Sequence, residues 1–369
     1  MAQAVIGSSI MVRCFLRLAY MMLHGHFLRL APWNGLHVAD LLFPWFIFIM
    51  GTAMALSYKF LDRATHVNRV DLVYKIVRRS VLLFVLGLFL NNMGVQNQRI
   101  MGVLQRFGLS YLIVGLILVL VPRIHRFMVP TNSENPPPTL HRIFADILPY
   151  LWQWAVVIVI LIVYLLLQFL LPVPGCPTGY LGPGGLADGG KYFNCTGGAH
   201  GYIDRVVLTV NHMYLYPTCS EIYHTGAFDP EGLLGVLTSI FATFLGVQSG
   251  RILTAFAAPR ERIVRWCAWF VFLGVITLGL TSASMNDGII PINKNLWSPS
   301  FVTATACLGN LLLVLFYLIV DVAQVWSGAP FIFVGMNSIL IYACHGILHK
   351  YFPFSFANDG TIFIKCSSR

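Results

Sequence analysis

PYLWQWAVVIVILIVYLLLQFLL, residues 149–171, runs for 23 residues without one charged side chain. At 1.5 Å of rise per residue a helix of this length extends about 34 Å, which exceeds the roughly 30 Å hydrocarbon core of a bilayer. Backbone amides in hydrocarbon must find partners inside their own segment, and a helix provides them. The stretch therefore reads as a membrane span. Similar runs cover His37 to Tyr58, Val81 to Met93, Leu109 to Val121, Leu233 to Gly250, Val264 to Ser282, Phe301 to Val322 and Phe331 to Ile347, giving eight. Of 369 residues 57% are hydrophobic and 10% charged, against about a quarter charged in an ordinary soluble domain. The expected fold is an all-α, polytopic transmembrane helix bundle. Residues 1–30 are apolar enough for a further helix, but Arg13 and Arg17 lie inside them, and each arginine costs about 2.5 to 3.5 kcal/mol at a helix centre.

The net charge of +10 comes from short clusters beside apolar runs, with no basic face or aromatic-basic interleaving, so nucleic acid is not an expected partner. Lysine and arginine favour cytosolic loops. Thirteen follow the first, third and fifth spans, among them Lys75, Arg78, Arg79, Arg123, Arg251 and Arg265. The opposite inter-span loops hold five: Arg99, Arg106, Lys191, Arg205 and Lys294. The first set is expected to be cytosolic, which puts the long loop, about 172–231, in a lumenal or extracellular space. Asn194-Cys195-Thr196 in that loop is an acceptor for N-glycosylation, a lumenal modification. Cys176 and Cys195 flank its Gly- and Pro-rich part and either form a disulfide or remain two thiols. The expected organisation is an atypical segment over 1–30, a membrane domain over 31–355 and a polar tail over 356–369, with both ends incomplete.

No soluble catalytic domain is present, so chemistry must occur within the bundle or at its rims. An ionisable side chain in a span is a functional candidate because it is costly there. Asp40, near the lumenal start of the first span, either orients a catalytic group or caps the helix N-terminus. His345, near the lumenal end of the last span, is a candidate general base or a packing histidine. Asn337, eight residues earlier, falls on nearly the same face. Arg99 and Arg106 suit a phosphate or sulfate, or are snorkelling interfacial side chains. Lys294, beside Asn295 and Trp297, puts a cation and an aromatic at another lumenal rim. Metal-site spacing, Gly-rich phosphate loops and nucleophile elbows are not found.

Several long stretches carry a family resemblance. They are Ala31-Pro32-Trp33-Asn34-Gly35-Leu36 through Trp45-Phe46, Gly102-Val103-Leu104-Gln105-Arg106, Leu171 through Gly185, Asn194 through Gly198, Gly201 through Arg205, Asp229-Pro230-Glu231-Gly232, and Asn293 through Ser298. In these the chain resembles the lysosomal heparan-α-glucosaminide N-acetyltransferase family of membrane acyltransferases. The resemblance implies transfer of acetyl from cytosolic acetyl-CoA to the terminal glucosamine amine of heparan sulfate in the lysosome lumen. It also implies a catalytic histidine just before the Ala31-Pro32-Trp33-Asn34-Gly35 motif and an asparagine eleven residues earlier. Leu30 and Ala19 stand at those positions, and the family's Asp-x-x-Arg-Gly opening is missing. His24, His26 and His37 are the neighbouring imidazoles. The expected catalytic set is thus His345, Asp40 and His26, and the expected substrate- and cofactor-binding set is Trp33, Asn34, Arg99, Arg106, Lys294 and Asn337. No metal is expected, and self-association is left open. Three functional classes follow: an active acetyltransferase, a non-catalytic fragment or pseudo-enzyme, and a membrane transporter.

Overall fold

The computed structural model describes residues 30–63, 68–91, 97–124, 143–284 and 288–329, together with Cys344 and the backbone of 357–358 and 361–362. Nine α-helices are present among these residues. They are α1 (Leu42–Arg63), α2 (Arg69–Leu90), α3 (Val103–Leu120), α4 (Leu151–Leu170), α5 (Ala199–Leu208), α6 (Ser220–Tyr223), α7 (Leu233–Ala255), α8 (Pro259–Thr281) and α9 (Pro299–Tyr317). The strands Ala357–Asn358 (β1) and Thr361–Ile362 (β2) form a two-residue antiparallel ladder. Six helices, α1, α3, α4, α7, α8 and α9, are long and apolar enough to cross a membrane. Both α8 and α9 open on a proline, a position where the missing amide has no intrahelical partner to lose. Ser298 Oγ caps α9 by accepting from Phe301 N (3.3 Å).

The bundle is organised around α7, which packs on α1, α3, α4, α5, α8 and α9. A methyl group added at Gly246 would stand 1.9 Å from Phe48 O, and one at Gly51 would stand 1.9 Å from Thr243 O. At Gly250 the added methyl would stand 2.7 Å from Thr52 O and 2.8 Å from Ala55 Cβ. Gly246 and Gly250 are spaced as the small-xxx-small pair that lets membrane helices bring their backbones together, and Thr52 Oγ1 uses that approach to donate to Gly246 O (3.0 Å). Hydrogen bonds tie α3, α8 and α9 to this pair. Ser110 Oγ and Ser239 Oγ are 2.8 Å apart, Ser249 Oγ donates to Asn310 Oδ1 (2.8 Å), and Trp266 Nε1 donates to Ser249 O (3.1 Å). Trp45, Phe48, Trp266 and Phe301 fill one apolar cluster, and Met54, Ile76, Val114 and Phe244 fill a second.

Three expectations change. Within the run Val81 to Met93, the residues up to Leu90 are only the second half of α2, which begins at Arg69. Lys75, Arg78 and Arg79 stand on exposed faces of that helix, because a helix that buries only Ile76, Ser80, Leu83 and Gly87 tolerates charge elsewhere. The third helix begins at Val103, not Leu109, so Arg106 belongs to a helix and not to a loop. Its guanidinium finds backbone carbonyls and an aromatic ring there, which lowers the cost that had set the boundary. The stretch 172–231 is folded, holding α5, α6 and two short 3₁₀ turns. The expected last span and the helix over 1–30 lie outside the described residues, Cys344 and Leu30 excepted. We expect Gly246→Ala to lower the unfolding midpoint in detergent by an amount equivalent to about 3 kcal/mol, since two backbones must separate. Gly279→Ala, whose added methyl meets open space on α8, is expected to leave the midpoint unchanged or raise it.

Candidate functional site

Three segments meet at the end of the bundle where α4 finishes and α7 begins: residues 30–41, 172–232 and 288–298. The first is joined to the third by a backbone bridge between Asn34 and Asn293, with Gly35 N donating to Ile292 O (2.8 Å). Gly35 adopts a φ of +116°, open to glycine and strained for other residues. Asn293 Nδ2 donates to Asn34 Oδ1 (3.0 Å) and Asn295 Nδ2 to Pro32 O (3.3 Å). Trp33 is buried, its Nε1 donating to Leu181 O (2.9 Å) and its ring 5.6 Å from that of Phe228. The second segment is cross-linked by Cys176 and Cys195, so of the two alternatives for these cysteines the disulfide is formed. Asn194, one residue away, is exposed.

Asp40 is fully buried and acts in the turn ahead of the first helix. Its Oδ2 accepts from Ala31 N (3.2 Å) and His37 N (3.0 Å), closing the turn ahead of α1, while Oδ1 lies 3.3 Å from Lys294 Nζ. The carboxylate therefore fixes the backbone immediately after Leu30, whose own side chain is 36% exposed.

The two arginines take different partners. Arg99 Nε and Nη2 form a two-pronged contact with Asp229 (3.0 and 2.6 Å), and Nη2 also reaches Glu231. Its charge is thus matched by carboxylates. Arg106, fully buried in the first turn of α3, donates from Nη2 to Pro230 O (3.0 Å) and Gly232 O (3.2 Å), with its guanidinium carbon 4.7 Å from the Trp297 ring centroid. Its Nε and Nη1 have no hydrogen-bond partner. Gly235 makes the room, since a methyl there would stand 2.4 Å from Arg106 Nη2.

Trp33, Asn34, Asp40, Arg99, Arg106 and Lys294 are therefore brought to one end. His26, Asn337 and His345 lie outside the described residues. Sequence reasoning assigned no role to His200 and Asp204, one turn apart on α5. Asp204 Oδ1 accepts from Leu233 N (2.9 Å), capping α7 from another helix, while its Oδ2 is buried without a hydrogen-bond partner. Burial pushes its carboxyl up to about 7, the Leu233 amide opposing and Asp229 reinforcing the rise. His200 Nε2 lies 3.3 Å from Tyr164 Oη, and burial, with Arg106 adding repulsion, lowers its imidazole to about 3. The four-residue spacing of two polar side chains in a short amphipathic helix was the available signal.

No protein-family model matches the sequence. The chain is 45% identical over 334 residues, 88% of its length, to heparan-alpha-glucosaminide N-acetyltransferase of Mus musculus, and 45% identical over 334 residues to that of Homo sapiens. The chain is related to this acetyltransferase family. It spans about half the length of these relatives, 50% of the mouse protein and 49% of the human one.

The two shifted groups on α5 act in opposite senses with pH. Asp204 holds its proton more tightly folded than unfolded, so its contribution is present at low pH and is lost as pH rises towards 7; His200 resists protonation when folded, so its contribution is lost as pH falls below about 6.5. In the native chain the two slopes offset between about pH 4 and 6.5. Asp204→Asn is expected to expose the histidine's slope, with stability falling towards acid by up to about 1.4 kcal/mol per pH unit. His200→Gln is expected to reverse the sign. Thermal melts across pH 4 to 7 measure both.

Proposed function

We propose that the chain is an acetyltransferase that moves acetyl from acetyl-CoA to the terminal glucosamine amine of heparan sulfate. Its expected setting is the lysosomal membrane, with the end bearing residues 172–232 lumenal and the arginine-rich end cytosolic. The observation that carries this reading is the 45% identity, which extends over 88% of the chain. Donor and acceptor on opposite sides of a bilayer require a reaction site within the bundle. The polar rim around Trp33, Asn34, Asp40 and Lys294 supports an acceptor site at one end.

Acetyl-CoA supplies the acetyl group as a thioester. The amine nitrogen attacks the acetyl carbonyl carbon, the carbon–sulfur bond breaks, the thiolate takes a proton, and a base removes one from the amine. His345 is the proposed base and His26 the alternative. Asp40 acts as a positioning residue, since it anchors the backbone next to position 30. Arg106 Nε and Nη1, buried and without hydrogen-bond partners, are donors suited to an anionic group of the substrate. Arg99 is committed to Asp229 and Glu231 and supports the rim. Trp33, Asn34, Lys294 and Asn337 complete the proposed binding set.

A second reading, a non-catalytic relative, is favoured by one residue. Leu30 occupies the position where the resemblance implies a histidine, and an isobutyl group exchanges no proton. Membranes carrying the chain, labelled acetyl-CoA and a glucosamine-terminated acceptor distinguish the two. We expect transfer by the native chain and a loss of about 100-fold or more in His345→Ala, the usual scale of a lost general base. Absence of native transfer, with activity appearing in Leu30→His, would establish the second reading. The orientation has its own check: glycosidase treatment is expected to shift the native chain on a gel and to leave Asn194→Gln unchanged.

A further inference from the structure

Helix α5 turns its polar residues inward and its apolar residues outward. Ile203, Val206 and Val207 stand at the i, i+3 and i+4 positions of its outer face, Val206 63% and Val207 61% exposed, and Val210 follows just beyond the helix at 49%. His200 and Asp204, on the opposite face, are buried: His200 Nε2 lies 3.3 Å from Tyr164 Oη, and Asp204 accepts from Leu233 N at 2.9 Å. A helix on an aqueous surface has the reverse arrangement, with apolar residues in and polar residues out.

The start of α5 also lies below the end of α4. Tyr164 precedes the last residue of α4 by six positions, about 9 Å at 1.5 Å per residue, and α4 is long and apolar enough to cross a membrane. Leu167 and Leu171, at that end of α4, share an apolar cluster with Tyr202 and Ile203 of α5. On the adjoining face of α4, Val163, Leu166 and Leu170 are 42%, 50% and 65% exposed, so the bare apolar stripe of α4 runs on into that of α5. Arg205 of α5 is half-buried, with a side chain long enough to reach a headgroup from an apolar surface. Thr209 and Asn211, on either side of Val210, are exposed and polar, as suits the headgroup level.

We propose that α5 is bedded in the membrane leaflet at this end of the bundle, with Ile203, Val206, Val207 and Val210 against lipid acyl chains, a placement that rests on α4 being a membrane span. Lipid accounts for the inverted pattern, because a surface facing acyl chains must be apolar while polar groups find their partners inside the protein. A helix lying in the interfacial plane enters the acyl boundary by about 5 to 10 Å on its apolar face. Since Asp204 caps α7 and the carbonyls of Pro230 and Gly232 hold Arg106, the membrane contact of α5 would seat the polar rim as well.

The full chain in nanodiscs of phosphatidylcholine carrying a photoactivatable diazirine on one acyl chain tests this, with labelled residues located by peptide mass spectrometry. Labels are expected on residues 203–210 and on residues 163–170. None is expected on Leu186, which is 56% exposed but follows Gly185, whose amide donates to Phe193 O (2.9 Å) beside the exposed Asn194. Labelling of 163–170 without 203–210 overturns the proposal, in favour of a second copy of the chain over α5 where each nanodisc holds two chains, and of water where it holds one. Labelling of neither stretch overturns the membrane reading of α4, and the proposal with it. Val207→Asp is expected to lower the melting midpoint in these nanodiscs by about 5 °C, because a carboxylate is costly against acyl chains, and Leu186→Asp to leave it unchanged. Equal midpoints for the two variants also overturn the proposal.

Discussion

The close approach of α1 to α7 is the constraint on which the rest of the bundle depends. Between membrane helices no water is released by apolar contact, so association relies on fit and on hydrogen bonds between backbones that can come near each other. Gly51, Gly246 and Gly250 create that nearness, and Thr52 converts it into a bond to Gly246 O at 3.0 Å. A helix held this tightly on one side presents its other sides at fixed angles. The hydroxyls of Ser239 and Ser249 then meet Ser110 and Asn310 at 2.8 Å each. Moving α1 outward by the width of one methyl group would lengthen the Thr52 bond to Gly246 O, while the Ser239 and Ser249 bonds hold α3 and α9 to the other sides of α7.

The same helix sets the position of the candidate site. Its first turn is capped by Asp204 from α5 and flanked by Pro230 and Gly232, whose carbonyls receive Arg106. Trp297, stacked on that arginine, leads into Ser298, the cap of α9. Residues 293–298 in turn hold Asn34 and Asp40 through Asn293 and Lys294. The polar rim is thus connected step by step to the glycine contact in the middle of the bundle, although none of its members lies in that contact.

The all-α class was legible in the sequence, because apolar length is the property that a bilayer demands, but of the eight expected spans six are long and apolar enough to cross a membrane among the described residues, Val81 to Met93 falls on a helix outside that set, and Phe331 to Ile347 lies outside the described residues. Helix starts were less so. Arg106 and the basic half of α2 moved the boundaries away from the true ones, since a charge in a helix is read as a cost until its partners are known. The Gly246 and Gly250 pair was not picked out, and its partner Gly51 lies almost two hundred residues away. The rim residues Trp33, Asn34, Asp40 and Lys294 were picked out individually, whereas their assembly depends on the bridge from Asn34 to Asn293. Asp204 and His200 had no local signature beyond their spacing, because their altered acidity comes from burial beneath a folded segment that looked like a loop.

Two buried arginines mark the ends of α7, and the helix treats them differently. Arg106 packs at Gly235 and Arg251 belongs to the helix itself, about 24 Å further along the axis at 1.5 Å per residue. The N-terminal end of a helix carries partial positive charge and the C-terminal end partial negative charge. Arg251, one turn before the helix end, is held by Gln153 and by the face of the Tyr150 ring. Arg106 sits where the helix opposes a cation. Asp204, Asp229 and Glu231 gather at that end, and their charge offsets the helix as well as the arginines. The start of α7 is thus a polar site whose cations are largely neutralised by the acids gathered around it.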